Sequence, residues 1–293
     1  MSPTIKIWLA ATRPKTLAAA IAPVIVGAAL AYGDGAFHLP SLLAIICSSL
    51  FIQVGTNFAN DYFDFVQGAD TEDRVGPTRA TQAGLVTPRG MLFATAVAFG
   101  FSALFGLYLV WRGGVPILII GIASIAAGIL YTAGPYALGY LGLGDIFVLI
   151  FFGPVAVGGT YYLQTGLITP AVLVAGFGPG LLATAILVVN NYRDRFTDVG
   201  ANKKTLVVRF GETFGIVEFF SCVILGSLTP LVLIMMTNAH YGLLICLLTL
   251  IPAIKGMKSM CSNPTSVRLN EMLGETGKLM VIYSILFALG MFL

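Results

Sequence analysis

Nine apolar stretches, each long enough to cross or nearly cross a hydrocarbon core of about 30 Å, constrain this chain more than anything else in it. They run roughly over 17–33, 41–60, 91–111, 115–133, 145–164, 170–190, 213–236, 240–256 and 278–293, the last two being the shortest. Lipid offers a backbone no hydrogen-bond partners, so each stretch reads as an α-helix. Composition agrees: 57% of the 293 residues are hydrophobic and 10% charged, where a soluble domain averages about 25% charged. The first stretch follows Arg13-Pro14-Lys15 and leads directly into further spans, so it reads as a span and not as a cleavable signal. The expectation is an all-α, polytopic membrane protein, one domain over 1–293 with no soluble appendage.

Nine spans sort the basic residues. The N-terminus and the connections 61–90, 191–212 and 255–278 fall on one side and hold all of the 16 Lys and Arg except Arg112. The positive-inside rule makes that side cytoplasmic, with the C-terminus outside, in a plasma (inner) membrane. A miscounted span before Asp194 would scatter these charges, so the bias also supports the count.

Against this background one pattern is too polar for its depth. Asn60-Asp61-Tyr62-Phe63-Asp64 recurs as Asn190-Asn191-Tyr192-Arg193-Asp194, each at the end of an apolar stretch. Gly68-Ala69-Asp70 follows the first copy and Gly200-Ala201-Asn202 the second, with Asp198 between. At helical pitch Asn60 and Asp64 share a face, as do Asn190, Asn191 and Asp194, and Asp194 and Asp198. Four spans separate the copies, so both reach the cytoplasmic face, as in a weak two-fold repeat. Gly68 and Gly200 read as helix breakers, and Pro88 suits a helix start. A carboxylate inserted in a membrane costs about 2.5–3.5 kcal/mol, and the helix C-terminal dipole adds to that.

Such acids can simply be solvated or paired with nearby Arg. Five carboxylates (Asp61, Asp64, Asp70, Asp194, Asp198) and three Asn (Asn60, Asn190, Asn191) in matched clusters point instead to a hard divalent cation carrying an anionic substrate. Oxygen-only ligands without Cys or His fit Mg²⁺, which bridges carboxylates to phosphate groups. His38 and His240 fall on the outer side, which excludes a histidine base or a His-rich metal site. The four cysteines have neither CxxC spacing nor a disulfide pattern and read as core residues. A net charge of +3, with bases and acids interleaved, gives no reason to expect nucleic acid.

Lys15, Arg74, Arg79, Arg193, Lys203, Lys204 and Arg209 surround the motifs. Topology alone accounts for most of them; Arg79, Lys203 and Lys204 lie in post-motif loops able to fold over a diphosphate. The connection 131–145 shares that face and is uncharged except for Asp145. Tyr131, Tyr136 and Tyr140 there fit an aromatic belt, or a site that steadies a diphosphate or orients an aromatic acceptor.

These segments resemble the UbiA superfamily of intramembrane aromatic prenyltransferases, and within it the MenA-type 1,4-dihydroxy-2-naphthoate polyprenyltransferase branch. The likeness runs in order from Arg13-Pro14-Lys15-Thr16-Leu17 through Ala59–Asp64 and Gly68–Asp70, then Asp73-Arg74-Val75-Gly76-Pro77, Arg79 and Gln82-Ala83-Gly84. It continues with 139–145, Asn190–Asp198 and Lys204–Gly211, the last three segments being specific to the naphthoate branch. The Tyr-x-x-x-Lys-Arg signature of the 4-hydroxybenzoate branch is absent: Tyr131 is followed by Pro135-Tyr136.

The resemblance implies nine helices enclosing a central cavity open near the cytoplasmic face. It implies two Mg²⁺, one held by Asn60 and Asp64 with Asp61 or Asp70, the other by Asp194 and Asp198. Together they clamp a polyprenyl diphosphate whose tail lies along the bilayer. The naphthoate ring attacks the resulting allylic cation and loses its carboxyl group as CO₂, giving a demethylmenaquinol. Asp145 is the candidate base; Arg193, Arg79 and Tyr140 are candidates for holding the ring carboxylate. Phytyl transfer to the same acceptor would use the same site. A CDP-alcohol phosphatidyltransferase would need one continuous acidic stretch that does not occur here, and a secondary transporter would carry its acids near the midplane.

Overall fold

The structure, a computed structural model, describes residues 2–69 and 75–293, so Asp70 and Arg74 lie outside the described residues. All regular structure among those residues is helical: α1 (Pro3–Ala11), α2 (Pro14–Gly33), α3 (Leu39–Val66), α4 (Pro88–Leu130), α5 (Gly144–Ile150), α6 (Ala156–Thr165) and α7 (Pro170–Gly200). There follow α8 (Leu206–Phe210), α9 (Glu212–Thr237), a 3₁₀ segment (Tyr241–Thr249), α10 (Leu250–Cys261) and α11 (Ser266–Gly290). A π-helical turn, Phe151–Val155, joins α5 to α6 into one crossing of the bundle.

Among the described residues eight helical units are long and apolar enough to cross a membrane. One of them, α4, has 43 residues and would measure about 65 Å if straight, twice a hydrocarbon core. It is not straight. Gly114 takes φ 67, ψ −155, a left-handed setting open to glycine, and Pro116 follows. Beyond the bend the chain returns: Gly128 comes back beside Phe99 of the first half and Thr56 of α3. The carbonyl of Gly113, next to the bend, accepts from the Tyr162 hydroxyl at 3.2 Å. Counting the two arms of α4 separately turns the eight units into nine stretches among the described residues, with the break between the third and fourth stretches where the hydropathy placed it.

Side-chain contacts mark the two ends of the bundle. At one, Tyr32 packs on Phe37 and Phe292, and His38 meets Gln164. At the other, Asn57 on α3 donates to the Thr12 carbonyl, Gln67 to that of Thr132, and Lys15 on α2 to that of Asn270 on α11. The acidic motifs are at this second end. The core runs through α2, α7, α9 and α11, with Leu182, Val188, Val223, Leu233 and Phe287 buried along it. The helices α5 and α7 approach closely, Gly153 at the π-helical turn facing the backbone of Gly176 and Gly180.

Only one of the two motif helices ends as the sequence reading has it. Gly68, with φ +70, does terminate α3, and Ala69 N–H closes back on the Asp64 carbonyl at 2.9 Å. In α7 the helix continues through Gly200, and the left-handed residue beyond it is Asn202. Pro88 occupies the first turn of α4, behind a Thr87 cap, as expected.

Candidate active site

The last two turns of α3 set Asn60, Asp61 and Asp64 on the inward side, and the three have different partners. Asp64 is buried and accepts from three groups, each at 2.9 Å: Arg79 Nη2 on Oδ2, and Lys203 Nζ and the Tyr140 hydroxyl on Oδ1. Asp61 turns to the loop that follows, where its two oxygens accept the backbone N–H groups of Ala80 (3.0 Å) and Thr81 (2.9 Å). Asn60 Oδ1 accepts from the Thr132 hydroxyl at 2.5 Å, which ties α3 to the 131–143 connection.

In α7 the second motif lies within the helix. Arg193 lays its guanidinium on the neighbouring Asp194, Nε to Oδ1 at 2.7 Å and Nη2 to Oδ2 at 2.5 Å. Nη2 also reaches Asn190 Oδ1 and Nη1 reaches Asn270 Oδ1 on α11, both at 2.8 Å. Asn191, Asp194 and Asp198 are buried here.

The 131–143 connection fits between the motifs. Tyr140 takes Lys203 Nζ above its ring, 4.7 Å from the centroid. Its carbonyl accepts the Lys204 N–H at 2.9 Å. Arg209 donates to the Lys204 carbonyl (2.9 Å) and the Leu141 carbonyl (2.8 Å), clasping the two loops. Gly142, at φ +70, allows this approach: a Cβ there would stand 2.6 Å from the Lys204 carbonyl oxygen.

Tyr131 ends α4 and is the point where both motifs are felt. Burial raises its phenol above the ordinary range, the carboxylates of Asp145, Asp198 and Asp64 push the same way, and Arg13 opposes them. The hydroxyl is therefore held in its protonated form, within the field of carboxylates from three elements. Asp145, in the first turn of α5, is 6% exposed, and its Oδ1 has no hydrogen-bond partner among the described residues. Tyr131 also forms part of the wall of an apolar cavity of about 330 Å³ between α2, α3, both arms of α4, and α5 and α6. Ala20, Thr56, Gly121, Ser124, Phe151 and Leu163 are among its lining.

Of the residues singled out in the sequence, the structure gathers Arg79, Tyr140 and Lys203 around the Asp64 carboxylate and Arg193, braced by Asn190, on that of Asp194, while Asn60 is held by Thr132. Lys15 is joined to the second group through Asn270, whose carbonyl accepts its Nζ at 3.2 Å. Arg209 grips backbone, and Lys204 exposes its side chain. Sequence reasoning missed Thr132, Gln67 and Asn270, ordinary polar residues whose role depends on distant partners. It also missed Glu218, a carboxylate inside apolar α9 whose Oε2 has no partner among the described residues. An acid within a span was the available signal.

Among the described residues no three His, Cys, Asp or Glu side chains come close enough to cage an ion alone. The donors form separate carboxylates accompanied by amide oxygens, which suits a hard ion that takes the rest of its shell from water and phosphate.

Comparison with known proteins gives three findings. The UbiA prenyltransferase family matches residues 20–265. The 1,4-dihydroxy-2-naphthoate octaprenyltransferase of Escherichia coli (strain K12) is 41% identical over 98% of this chain and 95% of its own; that of Haemophilus influenzae is 35% identical over 98% and 96%. The solved structure of a UbiA homologue from Archaeoglobus fulgidus bound to GPP and Mg²⁺ superposes with TM-score 0.69 at 15% identity, covering 96% of this chain and 99% of the other.

Proposed function

The chain belongs to the UbiA prenyltransferase family, and we propose that it is a magnesium-dependent, membrane-embedded enzyme that moves a polyprenyl chain from its diphosphate to 1,4-dihydroxy-2-naphthoate. CO₂ is lost and a demethylmenaquinol results. One observation carries the reading: Tyr131 belongs at once to the wall of an apolar cavity and to the electrostatic field of Asp64, Asp145 and Asp198. An amphipathic substrate with a charged head and an isoprenoid tail matches that junction. The acceptor follows from relatives whose names specify the naphthoate and which match this chain almost end to end.

Asn60 and Asp64 hold one ion in this reading, and Asp194 with Asp198, Asn190 and Asn191 the other. Asp61 supports them by fixing the loop that carries Arg79. Magnesium bound there supplies the positive charge that steadies the departing diphosphate. Arg79, Arg193, Lys203 and Lys15 add fixed or swinging cations on the same side, and the protonated Tyr131 and Tyr140 hydroxyls add neutral donors. The surrounding helices keep water from the allylic carbon. Asp145, with one oxygen unclaimed, takes the proton of a ring hydroxyl as the ring carbon attacks. The basic residues of the 191–212 and 255–278 connections support an orientation with this end cytoplasmic.

The test is turnover by the purified chain in lipid nanodiscs with octaprenyl diphosphate, the naphthoate and Mg²⁺, followed by mass spectrometry. Demethylmenaquinol is expected, and chelation with EDTA abolishes it. Undiminished product in EDTA would remove the metal from the account.

A further inference from the structure

One carboxylate of each acidic motif, Asp64 in the first and Asp194 in the second, is already neutralised by the chain itself. Each Asp194 oxygen is taken by Arg193, which Asn190 and Asn270 brace from either side. The two Asp64 oxygens are divided between Arg79 and Lys203, with Tyr140 as a third donor. These pairs are sheltered: the Arg193 side chain is 1% exposed and that of Lys203 15%. A bare divalent ion entering either carboxylate must displace a buried cation and leave it facing a like charge, which is costly. An ion that arrives with a diphosphate brings the missing negative charge in the same step. The freed guanidinium then finds phosphate oxygens, which its planar fork fits, and the freed ammonium finds a point-charge partner.

We propose that this site takes its divalent ion together with the diphosphate and not before it, by exchange of partners. Arg193 passes from Asp194, and Lys203 from Asp64, to the diphosphate oxygens as the two carboxylates pass to the ion. The proposal rests on the reading of the substrate as a prenyl diphosphate. It adds an order of assembly, and it assigns Arg193 and Lys203 two successive partners each. No bond of the substrate is made or broken in the exchange.

The experiment uses the full chain in nanodiscs, Mn²⁺ as an electron paramagnetic resonance probe, and inorganic pyrophosphate as the head-group mimic at fixed free Mn²⁺. Wild type should bind Mn²⁺ alone weakly, and pyrophosphate should raise the affinity about tenfold or more, within the usual range of coupled binding. In Arg193→Gln the affinity for Mn²⁺ alone should rise, because Asp194 has lost its competitor, while the pyrophosphate enhancement shrinks. Lys203→Gln, at a side chain less deeply packed, should behave the same way at Asp64. If wild type binds Mn²⁺ equally with and without pyrophosphate, the exchange is wrong. It is equally wrong if both variants bind Mn²⁺ alone more weakly than wild type. Pyrophosphate that fails to bind under any condition overturns the diphosphate reading itself, a distinct result from either of these.

Discussion

Asp61 and Asp64 stand three residues apart on α3 and hold different things. Asp61 spends both oxygens on the amides of Ala80 and Thr81, while Asp64 collects Arg79, Lys203 and Tyr140. Asp61→Asn should therefore act on stability, since its amide leaves at least one buried N–H unanswered. A loss of about 1–3 kcal/mol is expected on unfolding in detergent, with Mn²⁺ affinity in the presence of pyrophosphate largely kept. Asp64→Asn should act on catalysis, lowering kcat/KM by about 10²–10³-fold and weakening Mn²⁺ binding in the presence of pyrophosphate, with stability lost as well because Arg79 and Lys203 lose their carboxylate. Asp145→Asn should lower kcat by about 10²-fold or more and leave the donor KM alone; full turnover at saturating substrates would remove it as the base. The sequence made these acids visible because charge is scarce in a membrane chain. It did not divide their roles, because the amides that claim Asp61 belong to a loop about twenty residues further on. The pairing of Arg193 with its own neighbour was equally hidden, since adjacent residues on a helix ordinarily diverge.

At the scale of elements, hydropathy located the eight helical units that are long and apolar enough to span among the described residues, and it separated the two arms of α4 at the right place because Gly113-Gly114 and Pro116 interrupt the apolar run. It stopped α7 too early, and it opened the last stretch at 278 where α11 begins at Ser266, so that much of the expected 255–278 connection lies on α10 and α11. Helix α7 runs on to Gly200 past the end of its apolar stretch, and there Arg193, Asn190, Asn270 and Asp194 satisfy one another's polar groups. The short helix α8 and the π-helical turn at Phe151–Val155 also escaped notice, being too brief to leave a period. The loops that close the site depend on one tight approach. Gly142→Ala would place a Cβ 2.6 Å from the Lys204 carbonyl at a residue held at φ +70. We expect a cost of about 1–3 kcal/mol, together with a higher KM for prenyl diphosphate as Lys203 is moved off Asp64. Thermal unfolding and initial rates measure the two effects separately, and an unchanged KM would detach this loop contact from donor binding.

The whole molecule combines an apolar cavity within the bundle with a charged cluster at one end, and the sequence predicted both halves without their common wall. Tyr131 supplies that wall, and it was legible only as one of three tyrosines in a polar connection. Along the cavity, Gly121 has open space where a Cβ would stand. Gly121→Phe should fill that space, reducing turnover of an octaprenyl donor by about tenfold or more, a few kcal/mol of lost or strained packing, while a geranyl donor is spared. Equal losses with both donors would place the tail elsewhere. The central claim is that one site joins prenyl transfer to decarboxylation of the naphthoate. It is tested most directly by supplying acceptor labelled with ¹⁴C in its carboxyl group and counting both products. The account predicts one labelled CO₂ for each prenyl chain transferred, and neither without Mg²⁺; prenylation of 4-hydroxybenzoate in place of the naphthoate, with no CO₂ released, would contradict it.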